Sequence, residues 1–244
     1  MPNAEVDVIA PATSVHGPQP CADDKRQRLF ELMLVLLVSF GGAIGNAIFL
    51  YLHGPGGLQT TGNARWIMAI IQEATGLLLL RYVLSRRGLN FADLGLRWSF
   101  RSIGIGVMLA LMAYISWGIG SGIVRFVNGH LLGFSSSGHS ANELFAHASL
   151  AAIPFAFLNP FFEELIVRAY LMTEILDLTG SSLLAVIVSV ALQTSYHLYY
   201  GWMRALSLSF FFLIFAVYYA RKRQVLPIIT AHAVNDLYGI LRLM

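Results

Sequence analysis

Phe161-Phe-Glu-Glu-Leu-Ile-Val-Arg-Ala-Tyr170 decides how this chain folds, because it sets Glu163, Glu164 and Arg168 inside a run otherwise apolar enough for lipid. An ionisable side chain in hydrocarbon costs at least about 2.5–3.5 kcal/mol, so three within six residues need a reason. Helical geometry gives part of one. Glu164 and Arg168 stand four apart on one helix face, with the acid N-terminal to the base, the better order for a pair. Glu163 lies about 100° round the helix and points elsewhere, without a local partner. The spacing predicts one carboxylate neutralised and held, and a second left for chemistry.

Composition says where such a helix can live. Of 244 residues, 57% are hydrophobic and 12% charged, and the mean hydropathy is +0.66. Soluble domains carry about 25% charged residues, so this is the composition of an integral membrane protein. The pI near 9.1 reflects basic residues clustered between apolar segments, the pattern of basic cytoplasmic loops and not of a nucleic-acid stripe. Cys21 is the single cysteine, which rules out an intramolecular disulfide and a thiolate metal cage. Residues 1–24 hold four prolines and no apolar core segment, so they read as a disordered tail without a cleavable signal peptide.

The apolar segments predict an all-α polytopic bundle of about seven spans: 29–52, 65–84, 102–127, 144–178, 182–200, 205–220 and 226–244. The pairs Gly41/Gly45 and Gly118/Gly122 predict close helix approaches. The fourth span is long, and Pro154 and Pro160 predict a kink or a split, with a second helix capped by Asn159. With the N-terminus cytoplasmic, eleven Lys and Arg side chains fall inside (Lys25 to Arg28, Arg81 to Arg101, Arg221 to Arg223) and four outside (Arg65, Arg125, Arg204, Arg242). That asymmetry fixes the orientation. The chain then divides into the tail, N-terminal transmembrane helices over 25–143 and a catalytic transmembrane region over 144–244. No internal repeat is visible, which argues against an inverted-repeat transporter.

Two histidines complete the chemistry. His197 follows Gln193 by one turn among Tyr196, Tyr199 and Tyr200, and His232 has Asn235 and Asp236 within a turn. By residue count His197 lies near the far end of its span, a depth that matches Glu163 only if the helix tilts or ends early. A carboxylate and a histidine can activate water while other donors stabilise an oxyanion. Glu163, His197 and His232 can equally serve as three zinc ligands with one open position. There is no His-Glu-x-x-His helix, so the common zinc-protease signature is absent. His16, His53, His130, His139 and His147 read as structural or solvated. Glu31 reads as an interfacial acid, and Glu174 and Asp177 as caps of a cytoplasmic turn. Glu73, beside Gln72 in the second span, is either functional or a packing hydrogen bond.

Glu-Glu-x-x-x-Arg at Glu163 to Arg168, Tyr-His-Leu-Tyr around His197 and His-x-x-x-Asp at His232 to Asp236, each in an apolar span, resemble the CPBP intramembrane proteases. That family includes the CAAX prenyl endoproteases and the bacterial bacteriocin-processing or immunity ("Abi") proteins, and the resemblance covers about residues 144–244. It implies that Glu163 is the general base, that Glu164 and Arg168 form the supporting pair, and that His197 works with Glu163 on the water. It implies for His232 and Asp236 oxyanion stabilisation, or metal binding in a metalloprotease. Gln193 stands where the family commonly has phenylalanine, which would let it hydrogen-bond His197. Asp236 stands where asparagine is common, and an ionised aspartate cannot donate to an oxyanion.

The resulting expectation is an intramembrane endopeptidase in a bacterial plasma (inner) membrane. It would cleave membrane-associated protein or peptide substrates with a divalent cation such as zinc or with none, and nucleic acid is not a partner. A non-proteolytic scaffold or immunity protein of the same fold is the first alternative, and a proton- or ion-coupled transporter the second.

Overall fold

The computed structural model describes residues 22–53, 63–134 and 152–241. Residues 1–21 of the expected tail, residues 54–62 between the first two spans, and residues 135–151, which include the start of the fourth span, lie outside them. Among the described residues the chain is helical, without strands. The elements are α1 (Ala22–His53), α2 (Asn63–Arg86), α3 (Phe100–Val127), α4 (Ala152–Glu163), α5 (Leu171–Thr179), α6 (Ser182–Ser195), α7 (Trp202–Lys222) and α8 (Leu226–Leu241). A π-helical segment, Glu164–Tyr170, joins α4 to α5 into one unbroken rod. A second π turn, Asn128–Leu132, extends α3.

Four of these helices are long and apolar enough to cross a bilayer: Asp24–His53, Trp66–Arg86, Phe100–Leu132 and Trp202–Lys222. The α4–π–α5 rod, α6 and α8 are shorter or charged, and they are held by the others. The bundle turns apolar side chains outward as well as inward. Leu37 is 69% exposed, Met68 65% and Phe100 94%, with many other leucines and isoleucines like them. Soluble monomers do not sustain so much exposed apolar surface. The chain is an integral membrane protein.

The rod of α4, the π segment and α5 runs through the interior. Every residue from Glu164 to Tyr170 is buried, amid Leu80, Leu84, Phe215 and Tyr219. It packs on α2, α6 and α8, while α3 packs on α7 and α8. Small residues allow the closest crossings. A Cβ on Gly76 would stand 2.6 Å from the Phe162 ring, and one on Gly120 2.5 Å from Phe210. The pairs singled out in the sequence are not the ones used. Gly45, Gly118 and Gly122 have nothing within 4 Å of a Cβ position, because those faces look away from the bundle.

The expected split at Asn159 is also absent. The helix continues through Pro160, and the irregularity comes four residues later as the π segment, where wider turns absorb the register change. Helix α6, by contrast, ends early, at Ser195 and not near Tyr200. Thr194 and Ser195 turn their hydroxyls onto the carbonyls of Val190 and Leu192, an alternative to helical bonding that favours an end. Gly201, at φ 88° and ψ 151°, then starts α7 in a conformation open only to glycine.

One end of the bundle is tied by ions. Arg28 bonds Glu174 and Asp177 at 2.9 Å each, and Arg87 bonds Glu174 at 2.7 Å and also reaches Glu31. These acids are therefore paired across α1, the end of α2 and α5. Around Arg87, burial disfavours the charge, but Glu174 and Glu31 more than offset it and the guanidinium pKa is raised.

Candidate active site

Helix α6 ends before His197, and the turn that follows brings Tyr196, the residue before it, onto Glu163. Tyr196 is 5% exposed, stacks on Phe40 at 4.9 Å, and donates its hydroxyl to Glu163 Oε2 at 2.9 Å. Gln193 Nε2 donates to the same oxygen at 2.7 Å. Glu163 thus has no local partner, as its helical position requires, but two long-range donors hold it. Both described bonds fall on Oε2, which leaves Oε1 for another ligand.

Glu164 is fully buried and faces the other way. Its Oε1 meets His232 Nδ1 at 2.7 Å. The pair with Arg168 is present but long, 3.6 Å from Nε to Oε2, beyond a hydrogen bond. A π turn has more than four residues, so side chains four apart no longer stack squarely. Glu164 Oε2 and Arg168 Nε are consequently buried without hydrogen-bond partners. Arg168 spends its other nitrogens on Ser189 Oγ at 2.7 Å, on Gln193 Oε1 and on the Phe212 carbonyl.

Gln193 therefore bridges Arg168 and Glu163, and its side chain does not reach His197 as the sequence suggested. The His197 contact is to the Gln193 backbone carbonyl, at 2.8 Å from Nδ1. A carbonyl only accepts, so Nδ1 carries the proton and Nε2 presents a lone pair in the neutral ring. Tyr199, Tyr200 and Phe212 enclose that ring. His232 Nε2 stands 3.6 Å from Asp236 Oδ1, and Asp236 accepts from Asn159 Nδ2 at 3.2 Å. Asn159 is thus a site residue, not a helix cap. Asn235 turns back to the Ala231 carbonyl and takes no part.

Glu163, Glu164 and His232 offer ligand atoms within 4.8 Å of one another. His197 is not in that group, and Glu164 takes the place the sequence gave it. Two carboxylates and an imidazole suit zinc, and the buried, unpartnered Glu164 Oε2 is a donor such an ion would satisfy. Sequence reasoning passed over Ser189, whose only signal was a polar group in an apolar helix, and noted Tyr196 only as a neighbour of His197. Among the remaining histidines of the described residues, His53 and His130 each bond a carbonyl of their own helix, Phe49 and Phe126, at the surface.

Residues 145–238 match the family model described as type II CAAX prenyl endopeptidase, Rce1-like. The match spans α4 to most of α8 and contains Glu163, Glu164, Arg168, His197, His232 and Asp236. It agrees with the resemblance carried by the three motifs. No curated protein and no solved structure matches the chain.

Proposed function

We propose that this protein is an intramembrane endopeptidase that hydrolyses peptide bonds of membrane-associated proteins or peptides. The observation that carries this reading is the asymmetric treatment of the adjacent glutamates. Glu163 is held by neutral donors through one oxygen, and Glu164 is committed to His232 and Arg168. Glu163 Oε1 is placed to take a proton from water. His197, within electrostatic reach of Glu163, presents its Nε2 lone pair to the same water. The water oxygen attacks the scissile carbonyl carbon and negative charge develops on the carbonyl oxygen.

His232 serves that oxygen. Its Nδ1–H is bound to Glu164, and its Nε2 is too far from Asp236 to be consumed by it. An imidazolium held between two carboxylates can therefore donate through Nε2–H. Asp236, itself held by Asn159, keeps the ring charged and oriented and need not donate. Removing one oxyanion donor costs about 10²–10³-fold in rate. In a metal-bound form, a divalent cation such as zinc would instead be held by Glu163, Glu164 and a neutral His232, and would supply a more acidic water and a Lewis acid.

The positive-inside count supports a cytoplasmic N-terminus and a cytoplasmic Arg28–Arg87 end. A plasma membrane of a bacterium is the proposed location. The matched family is described as CAAX prenyl endopeptidase, and membrane-associated proteins or peptides are the substrate class proposed for this chain. The test is cleavage of a membrane-peptide library by purified wild type and by Glu163→Gln, each with and without a strong chelator. Cleavage by wild type alone supports the reading, and loss on chelation with recovery on added zinc assigns the metal. Identical peptide profiles from both folded proteins would contradict it and favour a scaffold or immunity role.

A further inference from the structure

Among the described residues, Glu73 is the one buried acid near this site that the mechanism has not used. It lies on α2, three residues before the Gly76 that receives the Phe162 ring, so the face that carries it is pressed against α4 beside Glu163. It is 5% exposed, and Oε2 is buried with no hydrogen-bond partner. The charges acting on it are those of Glu163, Asp236 and His232. It therefore belongs to the site, although it comes from outside the 145–238 segment that matches the family model.

Among the described residues, the site has more acids than bases to meet them. Glu73, Glu163, Glu164 and Asp236 face Arg168 and His232 as the bases bonded or ion-paired to any of them, with His197 nearby. A buried carboxylate without a donor or a cation takes up a proton instead of staying charged. Glu163 has Gln193 and Tyr196, Glu164 has His232 and Arg168, and Asp236 has Asn159 and His232. Glu73 Oε2 has none of these. A carboxylic O–H without a protein acceptor is also one that a substrate nitrogen can satisfy.

We propose that Glu73 is the general acid of the site, its carboxyl holding a proton that passes to the leaving nitrogen as the peptide C–N bond breaks. The inference rests on the peptide-hydrolysis reading and completes its proton balance. Water gives one proton to Glu163 and its hydroxide to the carbonyl carbon. The tetrahedral adduct collapses, the C–N bonding pair stays on nitrogen, and that nitrogen takes the proton of Glu73. The products are a carboxylic acid and an amine. The proton left on Glu163 returns to Glu73 and restores the starting state.

The experiment uses the full chain in detergent and one peptide that wild type cleaves, together with its analogue carrying a thioester at the scissile position. A thiolate leaves without a proton, so only the amide needs the acid. Glu73→Gln keeps size and polarity and removes the acidic proton. We expect it to lower kcat on the amide by about 10²–10⁴-fold, the usual worth of general-acid catalysis, while KM and the thioester rate stay at wild type. Glu73→Asp should recover part of the amide rate. Equal losses on amide and thioester, or no loss on either, overturn the inference.

A second readout does not depend on turnover. Infrared spectra of wild type should contain a protonated-carboxyl stretch that moves in Glu73→Asp and vanishes in Glu73→Gln. A wild-type spectrum without that band overturns the inference whatever the activity. If wild type cleaves no peptide, the hydrolase reading fails and the delivery step with it, while the band still decides where the proton sits.

Discussion

Replacing Gln193 with leucine should cost more than any other single change of similar volume in α6. The side chain has no exposed surface, and each end meets a charge: Oε1 accepts from Arg168, and Nε2 donates to Glu163 at 2.7 Å. Hydrogen bonds to charged groups are worth about 1.5–3 kcal/mol each, and the partners left behind stay buried. Both losses together amount to about 3–6 kcal/mol. Arg168 keeps Ser189 and Glu163 keeps Tyr196, which sets the expectation at the lower end, about 3 kcal/mol or about 10²-fold in an equilibrium constant.

Unfolding of a membrane protein is commonly irreversible, so the measurable quantity is the rate of loss of far-UV circular dichroism in detergent at fixed temperature. Gln193→Leu should unfold much faster than wild type. Gln193→Glu should restore an acceptor for Arg168 while setting a second carboxylate against Glu163, so it should recover stability without recovering cleavage. Wild-type unfolding by Gln193→Leu would refute the bridge between Arg168 and Glu163.

Gly95→Ala should undock the loop between α2 and α3. Its φ is +89°, and a Cβ would stand 2.0 Å from the Arg223 carbonyl oxygen, which is backbone and cannot move aside alone. Limited proteolysis across residues 88–99 should speed up sharply, and unchanged digestion would show that the loop does not lean on the α7–α8 turn. Arg87→Met should destabilise the bundle by about 1–3 kcal/mol, a buried-pair loss discounted because the side chain is 17% exposed. The raised Arg87 pKa adds a sign. Stability gained from a raised basic group is present below its unfolded pKa and lost only as pH rises through the folded one. The wild-type cluster should therefore show no alkaline weakening in unfolding rates through ordinary working pH, and a decline there would contradict the assigned pairing.

The parts of the site legible in sequence were those with local periodicity. Glu164 with Arg168 and His232 with Asp236 stand four apart on helices, and the structure keeps each pair within 3.6 Å. Glu163 was marked by having no such neighbour. What escaped depended on departures from ideal helices. The π segment cannot be read from Leu165-Ile-Val167, since nothing in those apolar residues distinguishes a wide turn from an ordinary one. The end of α6 was written in Thr194 and Ser195, but hydroxyls matter there only once the chain has a reason to turn. Gln193 was noticed four residues before His197, and that spacing pointed to the wrong partner because the side chain follows the buried charges across the bundle. The Gly41/Gly45 and Gly118/Gly122 spacings suggested contacts, while single glycines at 76, 106 and 120 make them. A close approach needs a neighbour opposite, which one chain segment cannot disclose.

In the proposed reaction, water activated at Glu163 cuts peptide bonds inside the bilayer. The direct measurement is cleavage in liposomes prepared in heavy-oxygen water, with wild type and Glu163→Gln compared by mass spectrometry of the products. The account predicts that wild type places one heavy oxygen in each new C-terminal carboxyl group and that Glu163→Gln, equally folded, yields no new termini. New termini at the same sites and rates from both proteins would contradict it.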